Sequence, residues 1–351
     1  MGKSVFIKRI LSFFLFTSVL VSFSLKKEVS AVAESSQVYA RAECVMEANS
    51  RRVLYESNGD TRLPMASTTK IATAITVLEE ETDLKRLVSI PPQAVGVEGS
   101  SVYLREGEVF SVEDLLYGLM LRSGNDCATA LALDQCGTVE RFSARMNKLA
   151  EKAGALNTCF KNPHGLPCVG HYTTARDLSL ITCYAMQNAI FREIVSTKYY
   201  EPRHWKNKNK LLDRFDGAVG VKTGYTKEAG RCLVSAAERN GMTLVVSVLN
   251  CPSTYERSEK LLEDAFSVYH NVCLVNKEKP LAIESAKKEI VYGYAREDIF
   301  YPLLSEEEGL VEIKTFPVKK IEMKRKKEEI VGEFQIFLAK RLLFSGNLYK
   351  L

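Results

Sequence analysis

The stretch Pro64-Met65-Ala66-Ser67-Thr68-Thr69-Lys70-Ile71 opens the first long helical pattern of the chain. Apolar residues recur at helical spacing after the break at Pro64, which predicts a helix over residues 67–80. A serine at a helix N-terminus has its backbone N–H free and directed at incoming negative charge. Lys70 lies on the same helix face as Ser67, and burial beside another cation would lower its pKa. The pair therefore predicts a nucleophile with its own base.

Two further motifs follow this helix in the chain. Ser123-Gly124-Asn125 interrupts two helical stretches within residues 112–136, and Lys222-Thr223-Gly224 stands at the end of a predicted strand. The Ser-x-x-Lys spacing occurs twice more and Ser-Gly-Asn once more, so neither motif is specific alone. Their order and setting are specific, because the same ordered set is typical of penicillin-binding proteins and serine β-lactamases, with Ser-Asp-Asn in place of Ser-Gly-Asn.

The wider sequence resembles the penicillin-sensitive serine D-alanyl-D-alanine carboxypeptidases of low molecular mass, peptidase family S11. The resemblance runs from about Ala42 to Phe266 and extends weakly to the C-terminus. Besides the three motifs, it rests on Met46-Glu47-Ala48, Leu121-Arg122-Ser123-Gly124-Asn125-Asp126, Asn162-Pro163-His164-Gly165-Leu166, Trp205-Lys206-Asn207-Lys208-Asn209 and Gly220-Val221-Lys222-Thr223-Gly224-Tyr225-Thr226.

The resemblance implies three catalytic residues. Ser67 would attack the carbonyl of the penultimate D-alanine of a peptidoglycan stem pentapeptide and form an acyl-enzyme. Lys70 would take the proton of the serine, and Ser123 would pass a proton to the departing D-alanine nitrogen. Water would then hydrolyse the acyl-enzyme, and β-lactam antibiotics would act as covalent inhibitors of the same serine.

The resemblance also implies five substrate-binding residues. Asn125 would hold a substrate amide and order the catalytic lysine. Lys222 and Thr223 would bind the terminal carboxylate, whose charge suits an ammonium group and a hydroxyl. Gly224 and Tyr225 would complete the binding strand, and the backbone N–H of Tyr225 would form an oxyanion hole with that of the nucleophile.

Three other positions are interpreted more plainly. Members of the family often carry a carboxylate-binding arginine before the helix that follows the last sheet strand, whereas this chain has Thr254 there and Arg257 nearby. That role is left unassigned. His164 is interpreted as a residue that fixes its loop, because Lys70 already supplies the base. Trp205 is interpreted as a packing anchor.

The order of elements predicts a mixed α/β (α+β) protein. Further helices are predicted over residues 139–153, 175–189 and 257–269. Strands are predicted over residues 218–222, 231–237 and 242–249, the last after the hairpin turn signal Asn240-Gly241. Residues 34–270 are expected to form a β-lactamase/DD-peptidase-like catalytic domain, with an antiparallel sheet and a helical subdomain. Residues 275–351 are expected to form a small all-β sandwich domain, because short apolar runs alternate there with turns and charge clusters. Its predicted strands are residues 290–294, 310–313, 319–323 and 334–338. The lysine-rich run at 324–327 is interpreted as a solvated hairpin tip.

The N-terminus predicts export. A basic start, an apolar stretch from Ile10 to Leu25 and Ala31-Val32-Ala33 read as a signal peptide over residues 1–33. An uncut N-terminal anchor is the alternative, so membrane association stays open. The formal net charge is +5, of which +4 falls in residues 1–33. The rest of the chain therefore lacks the basic surface of a nucleic-acid-binding protein.

Composition adds smaller conclusions. Nine cysteines form an odd set without Cys-x-x-Cys, so small buried hydrophobes are favoured and disulfide pairing cannot be chosen from the sequence. Neither a zinc-binding histidine pattern nor a phosphate-binding glycine pattern is present, so no metal and no cofactor are expected. Three rivals to the carboxypeptidase remain: a serine β-lactamase, although no Glu-x-x-Leu-Asn segment precedes Lys222, a DD-transpeptidase, and a non-catalytic penicillin-binding module.

Overall fold

The computed structural model describes residues 40–284, 288–317 and 330–350. The helices are α1 (Lys70–Leu78), α2 (Val112–Tyr117), α3 (Asn125–Cys136), α4 (Val139–Ala153), α5 (Ala175–Ala185), α6 (Ala189–Ser196), α7 (Leu211–Arg214) and α8 (Thr254–Val268). The strands up to residue 249 are β1 (Ala42–Glu47), β2 (Val53–Ser57), β3 (Leu87–Ser89), β4 (Val109–Ser111), β5 (Tyr199–Tyr200), β6 (Trp205–Lys206), β7 (Ala218–Thr226), β8 (Gly230–Arg239) and β9 (Met242–Leu249). This mixture confirms the predicted fold class.

A five-stranded antiparallel sheet with the order β2-β1-β9-β8-β7 forms the centre. Asn240 and Gly241 join β8 to β9 with φ of 51° and 71°, the conformation that a two-residue hairpin turn requires. Strand β9 is apolar and almost wholly buried, because α8 covers one face of the sheet and the remaining helices cover the other. Strand β7 lies at the edge, so one side of its backbone is not used by the sheet.

Helix α1 is the central helix, and all nine of its residues are buried. Its sequence is apolar on every side apart from threonines and Lys70, as expected of a helix enclosed by neighbours. Thr73 Oγ1 satisfies its hydroxyl by donating to the carbonyl of Pro163 at 2.6 Å. The helix was predicted from Ser67, but residues 66–69 form a single 3₁₀ turn and the α-helix begins at Lys70. The turn brings Ser67 just ahead of the buried helix.

Most of the other helix predictions are confirmed. Helix α4 occupies the predicted residues, with Thr138 as N-cap and Gly154 at φ +88° after its last residue. The interruption at Ser123 is also observed, since that residue has a left-handed φ of 65° between a π-helical turn and α3. The helix predicted over residues 175–189 begins at Ala175 as expected, but its predicted end is wrong, because it stops at Ala185. The Asn188 side chain accepts the N–H of Phe191, and this cap begins a second helix.

The C-terminal part is built from strands. They are β10 (His270–Val275), β11 (Leu281–Glu284), β12 (Ile290–Gly293), β13 (Ile299–Leu303), β14 (Val311–Pro317), β15 (Ile330–Leu338) and β16 (Arg341–Tyr349). The β11–β12 hairpin packs on β14–β15 around a core of its own that includes Ile283, Phe334 and Ile336. The strands predicted at 290–294, 310–313 and 334–338 are confirmed as β12, β14 and β15, whereas β10, β11, β13 and β16 were not predicted. The predicted strand 319–323 and the lysine-rich run lie outside the described residues, and the proposed domain limits stay predictions.

Arg52, just before β2, joins the two parts of the chain. Its guanidinium donates to the carbonyl of Pro302 and pairs with Glu307, both at 2.6 Å. The same group lies 5.3 Å from the ring centroids of Tyr269 and Tyr301. A half-buried arginine with this many partners makes a specific contact rather than a solvated surface pair.

All nine cysteines lie within the described residues, and none forms a disulfide. Five are buried: Cys44, Cys127, Cys183, Cys232 and Cys251. This confirms that most of them serve as small core residues. The predicted signal peptide, residues 1–33, lies outside the described residues. Among the helices that the structure describes, none has the length and apolar character needed to cross a membrane.

Candidate active site

The 3₁₀ turn at residues 66–69 carries Ser67 in front of helix α1. Ala66 has a φ of +50°, a region that side-chain-bearing residues rarely adopt. Two contacts hold this conformation. The Thr69 hydroxyl donates to the Ala66 carbonyl at 2.8 Å, and Gly165 packs so closely that a Cβ added there would come within 1.9 Å of the same oxygen. The turn is therefore fixed from both sides before any substrate arrives.

Lys70, the first residue of α1, is wholly buried beside this serine. Its Nζ lies 3.0 Å from Ser67 Oγ and 2.6 Å from both Asn125 Oδ1 and the carbonyl oxygen of His164. Burial, followed by the positive charge of Lys222, lowers the pKa of Lys70 well below its ordinary value. A lysine with a lowered pKa can be neutral near pH 7, and a neutral amine beside a serine hydroxyl can accept its proton.

The break before α3 forms a second side of the site, next to the turn that carries Ser67 and Lys70. Ser123 is buried there, and Asn125 opens the helix with its amide oxygen on Lys70. The amide nitrogen of Asn125 donates to the carbonyl of Glu98, and its backbone N–H donates to the carbonyl of Ser100 at 2.7 Å. Asp126 accepts the backbone N–H of Val102 at 3.0 Å, so the first turn of α3 anchors the segment 98–104.

The edge strand β7 forms a third side of the site. Lys222 is buried and donates to the carbonyl of Thr223 at 2.9 Å, and Tyr225 is largely exposed. Gly224 lies directly against the nucleophile turn, since an added Cβ would be 3.1 Å from the backbone nitrogens of Ser67 and Thr68. The expectation that Lys-Thr-Gly ends a strand is wrong, because β7 continues to Thr226. An unbroken strand presents its free backbone edge along the turn.

Lys222 has an unusual charge state for a lysine. Burial, followed by the nearby charge of Lys208, lowers the pKa of Lys222 to about 7. Lys208 itself is exposed and donates to Ser100 Oγ at 3.3 Å. Three lysines thus surround one site, and their mutual repulsion favours the binding of an anion. Lys208 was not singled out from the sequence, although it lies in the quoted Trp-Lys-Asn-Lys-Asn stretch.

His164 contributes through its backbone. Its carbonyl oxygen is the third partner of Lys70 Nζ, at 2.6 Å. Its imidazole accepts the N–H of Leu166 at 3.2 Å, and burial, then the charge of Lys70, lowers its pKa to about 3. The ring is therefore neutral and holds its loop. A sequence pattern of side chains carries no signal for a carbonyl contact of this kind.

The arginine nearest to the family position lies elsewhere. Arg257 lies in the first turn of α8 and is buried, and its guanidinium pairs with the buried carboxylate of Glu43. Thr254, at the start of the helix, is also buried. Trp205 is half-buried, and its ring packs on Gly118, which agrees with an anchoring position. Within residues 40–284, 288–317 and 330–350, no group of three or more His, Cys, Asp or Glu side chains is arranged to hold a metal.

This geometry defines a class of enzyme. A serine on a fixed turn, a buried lysine on its hydroxyl and a Lys-Thr-Gly edge strand beside its backbone are the parts of a serine acyl-transfer enzyme of the penicillin-recognising kind. The family model described as D-alanyl-D-alanine carboxypeptidase, Peptidase S11, matches residues 27–253. The chain belongs to this family.

Individual relatives agree with the family. The D-alanyl-D-alanine carboxypeptidase DacF of Bacillus subtilis is 31% identical over 299 residues, which cover 80% of this chain and 77% of that protein. Penicillin binding protein 5 from Haemophilus influenzae superposes with a TM-score of 0.75 at 27% identity, over 90% of this chain and 97% of that one. The Streptomyces K15 DD-transpeptidase superposes with a TM-score of 0.63 at 35% identity, over 67% and 99%.

Proposed function

We propose that this protein is a serine-type D-Ala-D-Ala carboxypeptidase that removes the terminal D-alanine from peptidoglycan stem pentapeptides. The contact between Lys70 Nζ and Ser67 Oγ, at 3.0 Å in a fully buried setting, carries the proposal. Membership of the D-alanyl-D-alanine carboxypeptidase family supports the choice of substrate.

The first half of the proposed reaction transfers the acyl group to the enzyme. Neutral Lys70 accepts the proton of Ser67 as the oxygen attacks the penultimate D-alanine carbonyl. The backbone N–H groups of Ser67 and Tyr225 stabilise the oxyanion, and each such donor typically contributes about 3–4 kcal/mol to transition-state stabilisation. Ser123 delivers a proton to the departing D-alanine nitrogen. The close packing of Gly224 on the turn supports this assignment, because it places the two donors on adjoining backbones.

Substrate binding is assigned to Asn125, in the break before α3, and to the edge strand β7. The terminal carboxylate of the substrate binds the Lys222 ammonium group and the Thr223 hydroxyl. Asn125 holds a substrate amide while its own amide oxygen stays on Lys70. Water then attacks the acyl-enzyme and releases the shortened peptide. β-Lactams enter the same reaction and are held as stable acyl-enzymes.

Transpeptidation is the second candidate, because the K15 neighbour is named as a DD-transpeptidase. It differs only in the acceptor, an amine in place of water. A serine β-lactamase would lose its acyl group rapidly, and a non-catalytic module would acquire none. The substrate belongs to the cell wall, so we also propose that the protein is exported, with residues 1–33 as the signal peptide. An uncut N-terminal anchor is the alternative to cleavage.

The test uses the full chain, a fluorescent penicillin and a D-Ala-D-Ala peptide. We expect a long-lived label on wild-type protein, release of D-alanine without an acceptor amine, and loss of both in Ser67→Ala. Rapid loss of the label would favour a β-lactamase, and D-alanine release that requires an amine would favour transfer. Label and release that persist in Ser67→Ala would overturn the assignment of the nucleophile.

A further inference from the structure

We propose that His171 is a positioning residue for the nucleophile, acting on the Ser67 backbone N–H through Thr69. The inference rests on the proposed acyl-transfer function and extends it to a residue outside the three motifs. His171 lies in the loop before helix α5, about a hundred residues after the turn that it supports.

The hydrogen bonds assign one direction to the contact. The Thr69 hydroxyl donates its single hydrogen to the Ala66 carbonyl at 2.8 Å. Its oxygen also lies 2.9 Å from His171 Nε2, so it accepts a hydrogen from that nitrogen. On the other side of the ring, His171 Nδ1 accepts the backbone N–H of Lys161 at 3.0 Å. A neutral imidazole carries one hydrogen, and both contacts place it on Nε2.

The His171 imidazole keeps its single hydrogen near neutral pH. His171 is buried, and its burial lowers its pKa to about 4. The imidazole is therefore neutral at neutral pH and keeps one tautomer. The ring of Phe160 packs against it edge-on, with centroids 6.0 Å apart. The donor that reaches Thr69 is thus both oriented and constant.

The contacts from Lys161 through His171 and Thr69 end on the peptide unit that joins Ala66 to Ser67. The Ala66 carbonyl and the Ser67 N–H belong to the same peptide unit, and in a planar trans peptide they point in opposite directions. Holding the carbonyl therefore fixes the direction of the N–H, which is one of the two proposed oxyanion donors. Ala66 needs such support, because its φ of +50° is strained for a residue with a side chain.

The experiment compares removal of each contact with its conservative replacement. His171→Ala removes the donor and Thr69→Val removes the hydroxyl, whereas His171→Gln and Thr69→Ser retain a group that can bond. The readouts are the second-order rate constant for labelling by fluorescent penicillin, and kcat and KM on a D-Ala-D-Ala peptide.

We expect His171→Ala and Thr69→Val each to slow acylation on the order of tenfold, because small displacements of a catalytic group are costly. The loss should fall on kcat, with KM within about twofold, since the oxyanion donors act on the transition state. The double variant should be no slower than the slower single variant, because both changes cut the same chain of contacts. His171→Gln and Thr69→Ser should recover most of the rate.

The control is Leu261→Ala in helix α8, a buried residue of the second core. It should lower Tm while leaving the acylation rate of the folded protein unchanged, which separates stability from positioning. Wild-type acylation in His171→Ala, or losses that add in the double variant, would overturn the inference while wild-type labelling still upheld the proposed function. If the alanine variant does not fold, ¹⁵N NMR of the wild-type imidazole decides: a hydrogen on Nε2 supports the inference, and a hydrogen on Nδ1 overturns it.

Discussion

Replacement of Lys208 by methionine should shift the alkaline limb of the pH profile. Lys222 must carry a charge to bind a carboxylate, and its pKa of about 7 limits that charge in the free enzyme. Because kcat/KM reports the free enzyme, its fall at alkaline pH should follow this group. Burial is the larger cause of the low pKa, and the charge of Lys208 is the second. Removing that charge should therefore raise the pKa of Lys222.

The size of the effect follows from the protonated fraction. With a pKa of 7, about a tenth of Lys222 is charged at pH 8. A like charge near a buried group, partly screened because Lys208 is exposed, changes a pKa by about one unit. About half of Lys222 would then be charged at pH 8, so kcat/KM should rise about fivefold there. At pH 6 nearly all of Lys222 is charged in both proteins, so the change in its pKa should make little difference to kcat/KM there.

The assay is kcat/KM for D-alanine release between about pH 5.5 and pH 9, at low and high salt. Loss of the Lys208 contact to Ser100 Oγ, at 3.3 Å, would scale the whole profile without moving its limb. Lys210→Met is the matched control, because Lys210 is exposed in the same segment and is not among the causes of the Lys222 shift. An alkaline limb that stays in place, or moves equally in the control, would refute the electrostatic reasoning.

Three further results are expected. Gly224→Ala should slow penicillin labelling about tenfold, because the new Cβ would lie 3.1 Å from the Ser67 nitrogen and push strand and turn apart; an unchanged labelling rate would contradict this packing. Lys222→Met should abolish activity yet stabilise the fold by roughly 1–3 kcal/mol in thermal melts at pH 7. A lowered pKa of Lys222 means that the unfolded chain binds more protons than the folded one, so wild-type stability should rise between about pH 7 and pH 10. The difference in stability between the variant and the wild type should therefore close over this range. A difference that stays constant would argue against the lowered pKa. Arg257→Leu should lower the free energy of unfolding in urea by about 3–5 kcal/mol, because it leaves the buried Glu43 carboxylate without its positive partner. Penicillin labelling of the folded protein should be unchanged. Slower labelling would give Arg257 a part in the site.

Local chemistry made much of the site predictable. A serine and a lysine three residues apart at the start of an apolar helix must share a face, and Lys70 does reach Ser67 Oγ. The turn signal at Asn240-Gly241 likewise predicted the β8–β9 hairpin. In both cases the deciding contact lies within a few residues of chain, where spacing determines geometry.

Long-range contacts were not predictable from spacing. The carbonyl of His164 meets Lys70 from 94 residues away, and backbone groups leave no mark on a pattern of side chains. Lys208 acts on Lys222 through space, so its effect depends on where the chain places its segment relative to strand β7. The helix break at Asn188 was missed for a different reason, because a side-chain cap competes with an otherwise continuous apolar periodicity.

The burial of the cysteines has a consequence for how this chain responds to oxidants. Burial raises the pKa of Cys44 to about 12 and that of Cys232 to about 11, so these thiols stay protonated. A protonated, enclosed thiol is a poor target for oxidants and for exchange with other thiols. Cys168 and Cys273 are exposed, and they are where oxidative damage or a maleimide dye should act first. The five buried thiols should therefore react last, after these two exposed ones.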